Sequence, residues 1–132
     1  MRKEPTWLEK RDLLAIHEEL LATFGGSPGL RDEGPLESAL ASAKNHFAYG
    51  DRDLFRLAAA YSHALTRNHP FVDGNKRSAF MAAYVFLGVN GYQFRAKEED
   101  VVGTMLSLAK GNLTSEEFAK WLRRGTARRK SL

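Results

Sequence analysis

The chain has 132 residues, the usual size of one domain and long enough to bury a core without disulfides or a structural metal. It contains no cysteine, which excludes a disulfide framework and thiolate metal sites, and no charge-free apolar run approaches the roughly 18 residues of a membrane span. The formal charge of +4 sits largely in Arg123, Arg124, Arg128, Arg129 and Lys130, a terminal cluster that reads as a solvated, frayed end and not as a nucleic-acid surface.

In chain order, Met1 to Glu4 is charged but is not followed by the apolar stretch of a secretory signal, so a cytoplasmic protein is expected. Thr6 followed by Glu9 reads as a capping box, and Leu13, Ile16, Leu20 and Phe24 then recur along one face of a first helix. Gly25, Gly26, Ser27, Pro28 and Gly29 stop it and open a loop to about Gly34. A second helix is predicted from Pro35, with Leu36, Ala39, Leu40 and Ala43 turned inward, and Asn45 to Asp53 reads as a connection. Leu54–Leu65 and Ala79–Val89 are apolar on nearly every side, which predicts two central helices. Asn90 and Gly91 end the second of these, and Tyr92 to Phe94 reads as a short extended piece. Val101, Val102, Met105, Leu106 and Ala109 define a further amphipathic helix that Gly111 terminates. Thr114 and Glu117 form another capping-box pattern ahead of Phe118, Trp121 and Leu122. The pattern predicts an all-α protein, a compact single-domain bundle of about six helices over residues 1–124, with a basic C-terminal tail over residues 125–132.

The densest chemistry lies between the two central helices, in Arg67, Asn68, His69, Pro70, Phe71, Val72, Asp73, Gly74, Asn75, Lys76 and Arg77. Backbone N–H groups at a helix start carry the positive end of its dipole, so Gly74 to Arg77 offers a cradle for phosphate oxygens. Glycine at 74 permits close backbone approach, and Lys76 and Arg77 neutralise charge, the arginine through a planar fork. Asp73 has the chemistry to hold a magnesium ion shared with phosphates, and His69 can accept a proton from a hydroxyl near neutral pH. Pro70 and Phe71 read as anchors that hold the loop on the core. From the residues alone, a solvated interhelical loop whose charges do nothing stays open as the other reading.

The string His69, Pro70, Phe71, Val72, Asp73, Gly74, Asn75, Lys76, Arg77 resembles the nine-position signature of the Fic/Doc family. The similarity extends through Gly25, Gly26, Pro28, Gly29, Arg31 and Asp32, then Leu36, Glu37 and Ala39, then Leu54 and Phe55, and finally Phe86, Leu87, Asn90, Gly91 and Tyr92, which are similar to the Doc branch. The resemblance implies a Fic/Doc-like helical fold with the active-site loop between two central helices. It also implies roles: His69 as the base that activates a protein hydroxyl, Asp73 as the magnesium-linked carboxylate, and Gly74, Asn75, Lys76 and Arg77 as the anion hole. Arg67 resembles a basic position that assists phosphate binding. Lys76 stands where the AMP-transferring branch has glycine, and Phe80 where that branch commonly has a second phosphate-binding arginine. Both departures are similar to the Doc branch. The resemblance therefore implies a toxin that uses ATP and Mg2+ to transfer the terminal phosphoryl group to a hydroxyl of a protein target, a translation elongation factor. AMP transfer to a protein hydroxyl is the alternative, and a non-catalytic binding module is the reading from another class.

Doc-like toxins are typically held in check by a small Phd-like antitoxin. The basic tail lacks the glutamate that self-inhibiting relatives set against the anion-hole arginine, so inhibition is expected from another chain. A groove lined by the first loop and the first two helices is the expected receptor. His63, six residues before His69, is imaginable as half of a metal pair, but a helix histidine bonded to a neighbour is the favoured reading. His17 and His46 read as surface or satisfied groups, and Trp7, Phe118 and Trp121 as packing rather than as a platform for bases.

Overall fold

The computed structural model describes residues 4–129; Lys130 of the basic cluster and the first three residues lie outside them. The elements are α1 (Lys10–Phe24), α2 (Glu33–Ala48), α3 (Leu54–Asn68), α4 (Asn75–Val89), β1 (Tyr92–Phe94), α5 (Glu98–Lys110), α6 (Ser115–Arg124) and β2 (Thr126–Arg128). This is the expected all-α bundle of six helices, with one short two-stranded ribbon added.

Helix α3 is the axis of the bundle, and α4, α2 and α6 pack on it while α1 lies against α4. Its run Leu57, Ala58, Ala59, Ala60, Tyr61 and Ser62 is buried without interruption, and α4 answers with buried Ser78, Ala79, Ala82 and Ala83. Small side chains on both surfaces let two helix backbones lie close. The Ser62 hydroxyl donates to the Ala79 carbonyl at 2.6 Å, which satisfies a polar group that burial would otherwise leave costly. Asp53 caps α3 by accepting from the Phe55 N–H at 2.9 Å, and its other oxygen pairs with Arg123 of α6. That guanidinium also lies 4.5 Å from the Phe55 ring centroid, so part of the basic cluster fastens α6 to α3.

Several boundaries differ from the sequence reading. The first helix starts at Lys10, not at Thr6, and the reaching-back contact comes from Asp12, whose carboxylate accepts from the Glu9 N–H at 2.8 Å. Thr6 is held elsewhere: its N–H donates to Asn90 Oδ1 at 2.8 Å, and Asn90 Nδ2 donates to its carbonyl at 3.0 Å. Trp7 stacks on Phe86 at 5.9 Å, and the Leu8 N–H donates to the Tyr61 hydroxyl at 3.1 Å. These tertiary bonds keep residues 4–9 extended over the core. Helix α2 begins at Glu33, capped by Asp32, and runs through the expected connection as far as Ala48. Lys44, Asn45 and His46 are the solvent face of a helix whose Phe47 still packs inward against Trp7.

The expected solvated tail is, in part, a strand. β2 pairs antiparallel with β1, Tyr92 opposite Arg128 and Phe94 opposite Thr126, and Arg129 donates from its backbone to the Gly91 carbonyl at 2.8 Å. The polar backbone edge of a three-residue extended segment demands partners, and the chain end supplies them. Gly125 makes the turn feasible, since a Cβ there would lie 2.5 Å from Phe94 Cε1.

Tyr61 is fully buried and burial pushes its phenol up to about 12. The neutral phenol is thus favoured in the folded state, so its contribution to stability is complete below pH 10 and is lost as pH rises toward 12. At about 1.4 kcal/mol per unit, that loss is on the order of 2–3 kcal/mol. A spectrophotometric titration should show one of the four tyrosines ionising only near pH 12 or with unfolding, and Tyr61→Phe should remove that late component.

Candidate functional site

The two central helices are joined by the loop from His69 to Gly74. Helix α3 ends at Asn68, and His69 follows in the left-handed region (φ 47°, ψ 57°), the one non-glycine residue with positive φ among those described. Such a conformation costs a side-chain-bearing residue roughly 1–2 kcal/mol and persists only where the surroundings enforce it. They do so at each following residue. Pro70 and Phe71 are buried, as expected of anchors. The Pro70 carbonyl accepts from the N–H groups of Arg31 (2.7 Å) and Asp32 (3.3 Å), and the Val72 N–H donates to the Gly29 carbonyl at 3.1 Å. Leu30 and Phe71 form an antiparallel bridge between these segments. The glycine-rich loop is therefore zipped along the motif.

Asn75 closes the loop from the other side. Its Oδ1 accepts from the Phe71 N–H at 3.0 Å and its Nδ2 donates to the Phe71 carbonyl at 2.9 Å. The side chain is thereby committed to the loop, and only its backbone N–H is available to a ligand. Gly74 is the N-cap of α4, in the left-handed region at φ 79° and with no capping side chain. The N–H groups of Asn75, Lys76 and Arg77 have no carbonyl within the helix to bond, which leaves the positive end of the α4 dipole open.

The Asp73 carboxylate is exposed, yet it is held. Its Oδ2 accepts from the Ser27 N–H at 3.2 Å and its Oδ1 from the Gly74 N–H at 2.8 Å. These two backbone bonds, followed by the Arg77 and His17 charges, hold its pKa below the ordinary carboxylate range. It is an ionised oxygen ligand with lone pairs left over, which suits a hard divalent cation such as magnesium that takes few protein carboxylates together with phosphate oxygens and water. Among the described residues no cluster of three metal-ligating side chains exists, so any such ion would rely on Asp73 and the ligand.

Asp73, Gly74, Asn75, Lys76 and Arg77 form the polar end of a cleft of about 930 Å³. Its body is apolar, built from Leu20 and Phe24 of α1, Phe80, Met81 and Tyr84 of α4, Phe94 of β1, and Val102 and Leu106 of α5. Phe24, Val102 and Leu106, on the apolar faces that the spacing predicted for these helices, are exposed at 51%, 55% and 39%. Their apolar faces point at the cleft rather than at the core, which α1 and α5 fill with Leu13, Met105 and Leu108. Arg77 lies over Phe24, 4.4 Å from its ring centroid. Among the described residues neither Lys76 nor Arg77 has a carboxylate partner.

His69 and Arg67 are exposed, and neither lines that cleft. Arg67 Nε donates to His63 Nε2 at 3.4 Å; burial first, then the charges of Arg67 and His46, lower the His63 pKa and favour the neutral ring that this bond needs as its acceptor. This is the neighbour-bonded helix histidine that the sequence favoured over a metal ligand. His17 was missed. It is buried, its Nε2 is 2.7 Å from the Asp73 carbonyl, and its ring stacks on Phe71 with centroids 3.8 Å apart. The signal was available, since position 17 falls four residues after Leu13, on the same helix face.

Residues 7–87 match the family model described as Fic/DOC family. The chain is 33% identical over 118 residues to "Protein kinase doc" of Escherichia phage P1, spanning 89% of this chain and 93% of that protein. It is 41% identical over 93 residues to "Toxin Doc" of Mycolicibacterium smegmatis (strain ATCC 700084 / mc(2)155), spanning 68% of each.

The Gly26–Asp73 contact yields a paired expectation. Gly25 and Gly26 both have positive φ, but a Cβ at Gly25 would meet nothing, whereas one at Gly26 would lie 2.9 Å from Asp73 Oδ2. Alanine at either position should lower stability by about 1–2 kcal/mol through backbone strain. Only Gly26→Ala should also break the Ser27 bond, so that NMR titration finds the Asp73 carboxyl moved up toward its ordinary range. Equal titration of Asp73 in both variants would show that the bond does not govern its acidity.

Proposed function

The chain belongs to the Fic/Doc family, and from that premise and the geometry of the motif loop we propose that it is a Doc-type toxin that phosphorylates a protein hydroxyl. The observation that carries this reading is the first turn of α4. Lys76 projects there beside Arg77 at the polar end of the cleft, with no carboxylate partner among the described residues. A lysine side chain crowds the space that the distal phosphates of an AMP donor would need, and it supplies a cation for a terminal phosphoryl group instead. Position 80 offers no second cation: Phe80 is built into an aromatic cluster with Tyr84, Phe94 and Trp121 at 6.0, 5.8 and 6.5 Å.

In this reading the substrates are ATP and a protein bearing a hydroxyl. His69, exposed at the end of α3, takes the proton from that hydroxyl as its oxygen forms a bond to the terminal phosphorus, and the bond from that phosphorus to the bridging oxygen breaks to release ADP. The open N–H groups of α4, with Lys76 and Arg77, bind the transferring phosphate and its developing charge. Asp73 would hold Mg2+, which when bound neutralises phosphate charge. Exposure of His69 suits a macromolecular acceptor, since a folded partner needs an unobstructed base. A translation elongation factor is the target this reading favours.

ATP labelled both in the terminal phosphate and in adenine, incubated with the chain and a cell extract, separates the possibilities. Terminal-phosphate label on one protein band is the expected result; adenine label would favour AMP transfer instead. His69→Ala should lower transfer roughly a hundredfold or more, and Lys76→Gly should bring phosphoryl transfer to background. A Lys76→Gly variant working at the parental rate would remove Lys76 from the mechanism.

Inhibition by a separate small antitoxin of the Phd type completes the proposal. The expected receptor differs from what the cleft offers: the apolar lining comes from α1, α4, β1 and α5, and none of it from α2 or the glycine-rich loop. An amphipathic antitoxin helix would bury its apolar anchors against Leu20, Phe24 and Leu106 and set acidic groups near Lys76 and Arg77. Expression of the chain alone should arrest growth, and coexpression with a small acidic protein encoded beside it should restore growth. A chain that is harmless at high expression would count against the toxin reading.

A further inference from the structure

We propose that His17 is a positioning residue for the anion hole, locking the Asp73–Gly74 peptide so that the first turn of α4 faces the phosphate; this rests on the phosphate-handling reading above. Glycine at 74 creates the need for such a lock. With φ at 79° the residue sits where glycine is at ease, but the absence of a Cβ also leaves the flanking peptide free to turn over. A flipped peptide would turn its carbonyl to where its N–H now points, against the Asp73 carboxylate beside the open end of α4, and so set negative charge next to the bound anion.

Both ends of that peptide are held. Its N–H donates to Asp73 Oδ1 at 2.8 Å, a bond within the loop that a flip of the whole turn could carry along. Its carbonyl lies 2.7 Å from His17 Nε2. A carbonyl has no proton to give, so Nε2 must be the donor, which fixes the proton on that nitrogen. This second bond comes from α1, fifty-six positions away in sequence, and is the external reference the loop lacks. The ring is itself fixed, stacked on Phe71 at 3.8 Å with planes 5° apart. Its Cδ2 and Nε2 would each lie 3.6 Å from a Cβ at Gly74, so the imidazole edge backs the turn directly.

Core filling alone does not account for a histidine here. His17 is 6% exposed and follows Leu13 on the buried face of α1; an apolar side chain would occupy that volume without the cost of burying a polar ring. The hydrogen bond to the motif backbone is what offsets that cost. The same helix carries Phe24, on which Arg77 rests, so α1 references both the backbone and a cation of the anion hole.

Two substitutions separate donor from ring. His17→Phe keeps the stack on Phe71 and removes the donor, whereas His17→Gln removes the ring and keeps an N–H at comparable reach. Calorimetry with ATP and magnesium, together with amide exchange of Gly74 by NMR, reads the effect without relying on transfer activity. The phenylalanine variant should bind ATP roughly fivefold more weakly or worse and exchange the Gly74 amide about tenfold faster. The glutamine variant should restore both to near the parental values. If the phenylalanine variant matches the parent, or the glutamine variant is as impaired as phenylalanine, the ring is only packing and the proposal fails. Should the phenylalanine variant not fold, His17→Asn, polar but too short to reach the Asp73 carbonyl, serves as the donor-free comparison. The labelled-ATP assay stands apart: a parent that transfers adenine label, yet loses ATP binding with the His17 donor, overturns phosphoryl transfer and supports the role of His17.

Discussion

Helices α3 and α4 pack on each other with alanine and serine buried on both, and the geometry of the motif loop depends on that packing. Ala58, Ala59, Ala60 and Ser62 on one side and Ser78, Ala79, Ala82 and Ala83 on the other are all buried. With the two axes fixed, the six residues from His69 to Gly74 must return the chain within a set span. The end of one helix and the start of the next then bring an imidazole, a carboxylate and an open helix N-terminus into one short turn. A bulkier residue at the α3–α4 contact would separate the helices and change the loop before any side chain of the motif was touched.

That turn is held by more bonds than its length requires. Backbone bonds from Gly29, Arg31 and Asp32, the Asn75 clamp on Phe71, and the Ser27 and Gly74 bonds to Asp73 all converge on it. The left-handed conformation of His69 is sustained by this surplus. A division of labour follows within one string of residues. Pro70, Phe71 and the Asn75 side chain build the loop, Asp73 both builds it and keeps charge available, and His69, Lys76 and Arg77 remain uncommitted to any carboxylate among the described residues. Groups preset in this way lose little freedom when a ligand arrives, which is the physical basis of preorganised electrostatics.

The cleft beside the loop has the opposite character. Its walls are the surplus apolar surface of α1, α4 and α5, left uncovered once the core is filled. Exposed Phe24, Val102 and Leu106 would be a liability on a featureless surface. Gathered next to Lys76 and Arg77, they instead line a cleft with an apolar body and a cationic end. A nucleotide and an amphipathic acidic helix, the substrate and the inhibitor proposed above, both match that description.

Periodicity and local punctuation carried a good deal of this in the sequence itself. The two central helices, the stop at Gly111 with its left-handed cap, the Thr114–Glu117 capping box and the extended Tyr92–Phe94 segment were all legible, because each is decided by residues within a few positions of one another. The motif, too, stood out, and so did the neighbour-bonded state of His63. What the sequence could not decide was anything settled by partners far along the chain. Thr6 is held by Asn90 eighty-four positions away, so a locally sound capping box gave way to a tertiary bond. The terminal basic segment pairs with Tyr92–Phe94 because that edge needed hydrogen-bond partners. Helical spacing gave Phe24, Val102 and Leu106 an apolar face but not what the face would meet. His17 lay on a legible stripe, and only the folding of α1 against the motif loop turned a buried histidine into a contact with Asp73. Local rules set the elements and the chemistry available; the packing of α1, α3 and α4 decided which of those groups meet.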